Sequence, residues 1–194
     1  MEARFGGYRT CRGLSPRGRL QAGALRERLR KTQELNGSHI VSSTFPRALE
    51  TAEIIAPSVC RKDIDARVEL GAMDPGPTCD GMTFEDFVSR FGKIDLSVDT
   101  NRSWFPDGES LSDFHSRVIQ SLYAIENDYR NSRVILTCHG GTIDRALCHC
   151  LNLDIATRFE TSTKPTSITE IVIEQSGPWR LLRFNDHAHL AELN

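Results

Sequence analysis

Two segments of this chain place a cation or a histidine where a strand is predicted to give way to a helix. Arg47 follows the short apolar run 39–42, and the tetrapeptide Cys138-His139-Gly140-Gly141 ends the apolar run 133–137. Open α/β folds bind ligands at the carboxyl edge of the sheet, where such junctions lie. A guanidinium binds phosphate bidentately. Glycines let a phosphate come close to the free N–H groups of a helix N-terminus. These residue types predict a phosphoryl site formed by Arg47, His139 and Gly140.

Both side chains also have plainer interpretations. Arg47 is compatible with a surface arginine, and His139 with a structural histidine that is hydrogen-bonded at a strand end. A cation in the first turn of a helix is mildly unfavourable, however, which favours an anionic partner for Arg47. The two glycines after His139 favour a functional interpretation in the same way.

The elements that would position these residues are read from apolar spacing, caps and turn residues. Helices are predicted at 15–32, 44–56, 83–91, 111–125 and 142–151, and strands at 39–42, 133–138, 167–174 and 179–184, with 58–82 irregular. Strands that alternate with helices predict an α/β fold with helices on both faces of a mostly parallel sheet, a three-layer α/β/α arrangement. The length of 194 residues suits one domain spanning 1–194.

Composition narrows the classes of partner. The chain carries 24 basic and 26 acidic residues, a net charge of −2, which gives no reason to expect nucleic acid or a membrane. Its six cysteines form no CxxC pair, so we expect no metal site. No cofactor is expected. The N-terminal residues lack the apolar stretch of an export signal, so we expect a cytoplasmic protein with reduced thiols.

Several motifs resemble, in order, those of the histidine phosphatase superfamily, also called phosphoglycerate mutase-like. The segments that carry the resemblance are 14–22 (LSPRGRLQA), 42–52 (SSTFPRALETA), 108–118 with GES and RV, 138–141 (CHGG), 167–170 (SITE) and 184–190 (FNDHAHL). The resemblance implies a metal-free reaction in which a neutral histidine attacks phosphorus and carries a phosphohistidine intermediate. It also implies that arginines and a second histidine stabilise the phosphoryl charge, the roles that fall to Arg47 and His139.

The chain departs from the family at the nucleophile. The family carries that histidine in an Arg-His-Gly motif at the end of its first strand, and this sequence contains no Arg-His pair. Aligned on the family, residues 2–14 continue the motif, so the first strand would lie just upstream of Met1. The resemblance therefore predicts a fold whose first strand is missing.

A second departure concerns the general acid. The family segment "LxExxxG" is matched best by residues 70–76, which puts Ala72 in the place of the acid. Glu69 is the nearest substitute candidate and Asp74 the next, provided that the surrounding loop directs a carboxylate into the site.

The first hypothesis for function is therefore a phosphomonoester hydrolase that acts on a small organic phosphate, if the strand with the nucleophile exists. The alternative is a catalytically inactive phosphate-binding or interaction domain, and a phosphoglycerate mutase is a third reading that the short chain disfavours. The partner expected is a small phosphate ester, and a homodimer is left open. Without its first strand the chain is expected to fold poorly or to depend on a partner, because two strand edges would stay unpaired.

Overall fold

A computed structural model describes residues 4–93, 99–157, 161–173 and 177–193. Met1, Glu2 and Ala3, and the predicted strand end Glu174, lie outside the described residues. The elements in chain order are α1 Pro16–Thr32, β1 His39–Ser43, α2 Pro46–Ile55, β2 Ile64–Arg67, α3 Gly76–Cys79, α4 Phe84–Phe91, α5 Leu111–Asp128, β3 Val134–Thr137, α6 Gly140–Cys150, β4 Ile168–Val172 and β5 Arg180–Asp186. Short 3₁₀ turns occupy Ala56–Val59, Val68–Leu70 and Ala188–Leu193.

The strands form two separate sheets. Three parallel strands lie in the order β2-β1-β3, with Ile40 of β1 opposite Ile64 on one side and Ile135 on the other. Strands β4 and β5 form an antiparallel pair of their own. The predicted α/β class with a mostly parallel sheet is confirmed. Among the described residues no strand precedes β1, and Arg4 forms an isolated β-bridge to Thr83.

Helices cover both faces of the parallel sheet. Because side chains alternate along a strand, Val41 enters one apolar cluster with α5 and α6, while Ile40 enters another with α1 and α2. A third cluster lies outside these layers, where Phe87 and Phe105 pack around Cys79. Phe87 and Phe105 of the segment 60–106 thus serve as core.

The predicted helix starts are confirmed where a hydroxyl precedes the apolar pattern. The hydroxyl of Ser15 accepts a hydrogen bond from the Gly18 N–H at 3.1 Å, and Ser110 accepts one from Asp113 at the same distance. Thr83 caps α4 by accepting from the Asp86 N–H at 3.0 Å. These caps satisfy N–H groups that a helix end leaves free.

The prediction of an irregular segment at 58–82 is wrong in part, since it contains β2 and the short helix α3. Strand β2 has only one large apolar side chain, Ile64, because it lies at the sheet edge and pairs with β1 alone. Its polar residues Asp65 and Arg67 form an ion pair, N···O 2.7 Å. No helix within the described ranges has the length and hydropathy of a membrane span.

Candidate phosphoryl site

His139 lies between the end of β3 and the start of α6, which it precedes as the N-cap residue. The side chain is 9% exposed, and its Nε2 lies 2.9 Å from the Oγ of Ser43, the last residue of the neighbouring strand β1. The ring of Phe45 meets the imidazole edge-on at a centroid distance of 4.8 Å. The pairing of β1 with β3 therefore fixes the histidine against two residues of the adjacent junction.

The surroundings of His139 favour its neutral form. Burial, and after it the positive charges of Arg47 and Arg117, lower its pKa to about 3. A neutral imidazole has one donor and one acceptor nitrogen. At neutral pH the buried histidine is therefore a hydrogen-bonding group rather than a cation.

Arg47 is the second residue of α2 and lies beside the same phenylalanine. Its guanidinium carbon is 4.6 Å from the centroid of the Phe45 ring, and Nη2 donates to the Gly6 carbonyl at 3.4 Å. No carboxylate among the described residues pairs with it. Phe45 thus contacts both predicted site residues, which the fold brings together, and Arg47 keeps a positive charge that no described acid neutralises.

The two helices that start at this sheet edge differ in their N-terminal caps from the other described helices of eight or more residues. α1, α4 and α5 begin with a hydroxyl cap, whereas α2 and α6 begin after Phe45 and His139 with no side-chain cap and no acidic residue in the first turn. Gly140, the first residue of α6, is exposed. Because the first N–H groups of a helix need acceptors, two neighbouring ends of this kind favour a bound anion.

Cys11 is a further neighbour of Arg47 that sequence reasoning missed. Burial raises the pKa of its thiol, but hydrogen bonds from Gly13 and Arg47, together with the Arg47 charge, outweigh burial and lower it. The loop that carries Cys11 is anchored by carboxylates: Asp80 accepts from the Gly7 N–H at 2.9 Å and Glu50 accepts from the Leu14 N–H at 2.7 Å. No local motif signals Cys11, because the contact depends on long-range anchoring.

Arg117, whose charge acts on His139, binds a loop near the site. It donates to Glu109 through Nε and Nη2, both at 2.7 Å, and to the backbone carbonyls of Glu69 at 2.7 Å, Gly71 at 3.2 Å and Ala72 at 3.2 Å. The arginine therefore holds the loop in which the general acid was sought. The resemblance of residues 117 and 118 to the family's RV motif pointed to Arg117, but the sequence does not show which groups Arg117 contacts.

The structure places both acid candidates on the surface. Glu69 is exposed and contributes its carbonyl, not its carboxylate, to Arg117. Asp74 is also exposed, and its Oδ1 accepts from the Gly76 N–H at 2.9 Å, which shapes the loop. Neither carboxylate contacts Arg47 or His139 within the described part of the chain, so their catalytic role stays a prediction.

Comparison with known proteins bears on this geometry. The chain matches the family model described as histidine phosphatase superfamily (branch 1) over residues 2–187. It is 27% identical over 182 residues to phosphoglycerate mutase-like protein 4 of Arabidopsis thaliana, covering 92% of this chain and 76% of that protein. Its fold is similar to that of a phosphoserine phosphatase from Entamoeba histolytica, crystallised with phosphoserine, at a TM-score of 0.77 and 23% identity over 96% of this chain and 90% of that one. A mycobacterial glucosyl-3-phosphoglycerate phosphatase gives a TM-score of 0.77 at 24% identity, covering 95% and 93%.

Proposed function

The chain belongs to the histidine phosphatase superfamily (branch 1), and from this premise we propose that Arg47, His139 and the start of α6 bind the phosphoryl group of a small organic phosphate. One observation carries the proposal. Two neighbouring helices, α2 and α6, present uncapped N-termini at the same sheet edge, and Arg47, which has no carboxylate partner among the described residues, lies in the first turn of one of them. An anion satisfies the N–H groups and the guanidinium together.

We propose further that the activity at this site is phosphomonoester hydrolysis through a phosphohistidine. Arg47 then stabilises the charge on the phosphoryl oxygens in the transition state. The neutral His139, oriented by Ser43, provides a hydrogen bond to the same group. The family carries the attacking histidine in an Arg-His-Gly motif, and this sequence contains no Arg-His pair. The hydrolase proposal therefore holds on the condition that a strand carrying the nucleophilic histidine exists.

A catalytically inactive phosphate-binding domain is the second candidate. It is favoured by Ala72 in the place of the acid and by the exposed positions of Glu69 and Asp74. A mutase is a third candidate, favoured only by the names of relatives, which include the Arabidopsis protein and several bacterial probable phosphoglycerate mutases. All three share the phosphoryl site, so binding is tested before turnover.

Binding is tested by titrating inorganic phosphate and phenyl phosphate into the protein, with isothermal calorimetry as the measurement. Arg47→Ala is expected to weaken both about 10–100-fold, because it removes a charge-assisted bidentate contact of about 1.5–3 kcal/mol. The matched control is Arg30→Ala, which removes an exposed arginine paired with Glu27 on α1. Equal affinities for Arg47→Ala and the unaltered protein would show that the anion binds elsewhere.

Turnover separates the candidates. The unaltered chain is assayed for hydrolysis of p-nitrophenyl phosphate, alone and as a fusion that begins with an apolar strand ending in Arg-His-Gly. The hydrolase proposal expects activity in the fusion that Arg47→Ala abolishes. Phosphate binding without turnover in either form assigns the chain to the inactive class.

A further inference from the structure

A cavity of about 430 Å³ lies beside the first half of α1. Its volume is within the roughly 300–1,000 Å³ of pockets that bind small molecules. Its walls come from three parts of the chain, which are α1, the segment just before β4 and the residues that follow β5. The lining residues are Arg17, Gln21, Lys164, Pro165, His187 and Leu190.

Helix α1 separates this cavity from the phosphoryl site. Arg19 lies on the side of α1 that faces α2, because its Nε forms an ion pair with Glu50 of α2. Arg17 and Gln21 are each two residues from Arg19, which places them about 200° around the helix from it. They are four residues apart and therefore share one face. The cavity thus lies on the face of α1 that points away from α2 and Arg47.

The basic side chains of the cavity have no acidic partner. Arg17 and Lys164 form no ion pair among the described residues, and no described acid lines the cavity. A cation in the first turn of a helix is unfavourable, and the first turn of α1 contains no acidic residue that would offset Arg17. Because a cleft lined by charge of one sign attracts the opposite sign, this arrangement favours an anionic ligand.

Hydrogen bonds fix the backbone around His187 and Lys164. The Leu190 N–H donates to the His187 carbonyl at 2.9 Å, and the Lys164 N–H donates to the side chain of Asn185 at 2.8 Å. The His187 Nδ1 lies 2.6 Å from the Asn185 carbonyl, which only accepts, so Nδ1 carries a proton and Nε2 is left for a ligand. Leu190, 6% exposed, gives the cavity an apolar wall.

We propose that this cavity binds a small polyanion with two or more oxyanion groups, of the tricarboxylate or triphosphate class. The Arg17 guanidinium binds one oxyanion bidentately, and the Lys164 ammonium binds a second as a point charge. The imidazole of His187 adds a hydrogen bond from a third part of the chain. More than one oxyanion is needed to match basic groups on separate elements. The site is independent of the phosphoryl group proposed to bind at Arg47.

The test titrates citrate and tripolyphosphate into the full chain carrying Arg47→Ala, with isothermal calorimetry as the measurement. This background removes an arginine of the phosphoryl site, so the heat reports the cavity. At least one of the two polyanions is expected to bind, and the tighter one assigns the class. Acetate, which has a single carboxylate, is expected to bind at least about tenfold more weakly. Equal affinities for acetate and the polyanions, or no binding of either polyanion at millimolar concentration, overturn the proposal.

Substitutions in the same background locate the site. Arg17→Ala and Lys164→Ala are each expected to weaken binding at least about fivefold, since each removes a charge-assisted contact from an exposed position. The matched control is Arg26→Ala, which removes the same charge from the other side of α1, where the nearest Glu27 oxygen is 4.0 Å away. It is expected to change the affinity less than about twofold. Equal weakening by Arg17→Ala and Arg26→Ala would mean diffuse attraction to the helix and overturns the proposal.

Discussion

His139 shows how one contact between neighbouring strands sets the chemistry of a residue. The Ser43 hydroxyl and the Phe45 ring hold it from the β1–α2 junction, while burial and two arginines keep it neutral. The sequence predicts that His139 and Arg47 share a site, because both follow strands that run parallel. It does not predict the protonation state, which depends on burial and on Arg117, a residue of a different element.

The lowered pKa of His139 makes a prediction about acid stability. The folded pKa of about 3 is below the ordinary value of 6.5, so the unfolded chain binds more protons between these values. The contribution to stability is therefore complete above about pH 6.5 and is lost as the pH falls towards 3. Between pH 6.5 and 4.5 the free energy of unfolding is expected to fall by about 2 kcal/mol from this histidine. His139→Gln should not show this part of the fall.

The measurement is the free energy of unfolding in urea at several pH values. His187→Gln is the control, because His187 is exposed and its Nδ1 contacts only the Asn185 carbonyl, at 2.6 Å. An identical pH dependence for His139→Gln and the unaltered protein would contradict a neutral, buried His139.

At the scale of elements, Arg117 joins α5 to the loop before α3. Its partner Glu109 has a side chain that is only 13% exposed, and the loop offers three backbone carbonyls to the same guanidinium. Removing the arginine leaves a shielded carboxylate without the two hydrogen bonds from Arg117, and only the Asp74 N–H, at 3.3 Å, still donates to it among the described contacts. A broken pair of this kind costs more than the intact pair contributes, since the remaining charge stays desolvated.

We therefore expect Arg117→Met to destabilise the protein by about 2–3 kcal/mol in urea unfolding, somewhat less than a fully buried pair. Adding Glu109→Gln should recover about 1 kcal/mol by removing the stranded charge. Arg30→Met, on the surface of α1, should change stability by less than about 0.5 kcal/mol. A loss in Arg117→Met no greater than that of the control would mean that the loop is held by other contacts.

The elements themselves were predictable where the sequence carries a local signal. Hydroxyl caps and apolar spacing fixed α1, α4 and α5 to within a residue or two at their starts. Strand β2 was missed, because an edge strand needs few apolar side chains and Ile64 alone gives no alternation. The acid candidates Glu69 and Asp74 show a different limit. The sequence identifies a carboxylate near a motif, but whether its side chain points into the site depends on the tertiary contacts that Arg117 makes with the loop.

At the scale of the whole molecule, ion pairs connect the β4–β5 pair to α1 and the residues after it. Within the described residues no strand pairing joins this pair to the parallel sheet. Glu34 accepts from Arg28 and from Arg183, both at 2.7 Å, and Asp186 accepts from Arg28 at 2.6 Å. These contacts join the end of α1 to β5 across the layer. Poor folding of the chain, expected from its unpaired edges, stays a prediction. The ion pairs partly offset the destabilisation that those edges cause.

The network predicts selective loosening of the β4–β5 pair in Glu34→Ala. Two arginines then lose a half-buried partner, and we expect amide exchange in β4 and β5 to accelerate about 5–30-fold, or about 1–2 kcal/mol, while β1 changes little. Hydrogen exchange read by mass spectrometry measures both regions in one sample. Glu27→Ala, which removes a surface pair with Arg30, is the control.

Acid should reproduce the effect without a mutation. Burial raises the pKa of Glu34, but the hydrogen bonds from Arg28 and Arg183 outweigh it and lower the pKa, and the Arg28 hydrogen bond lowers that of Asp186. Both carboxylates therefore contribute stability above the ordinary carboxyl pKa, and that contribution is lost as the pH falls below about 4. Exchange in β4 and β5 should rise there before exchange in β1, because these ion pairs link the antiparallel pair to α1, whereas β1 is held by strands on both sides. A uniform rise across both sheets would show instead that the two sheets unfold as one cooperative unit.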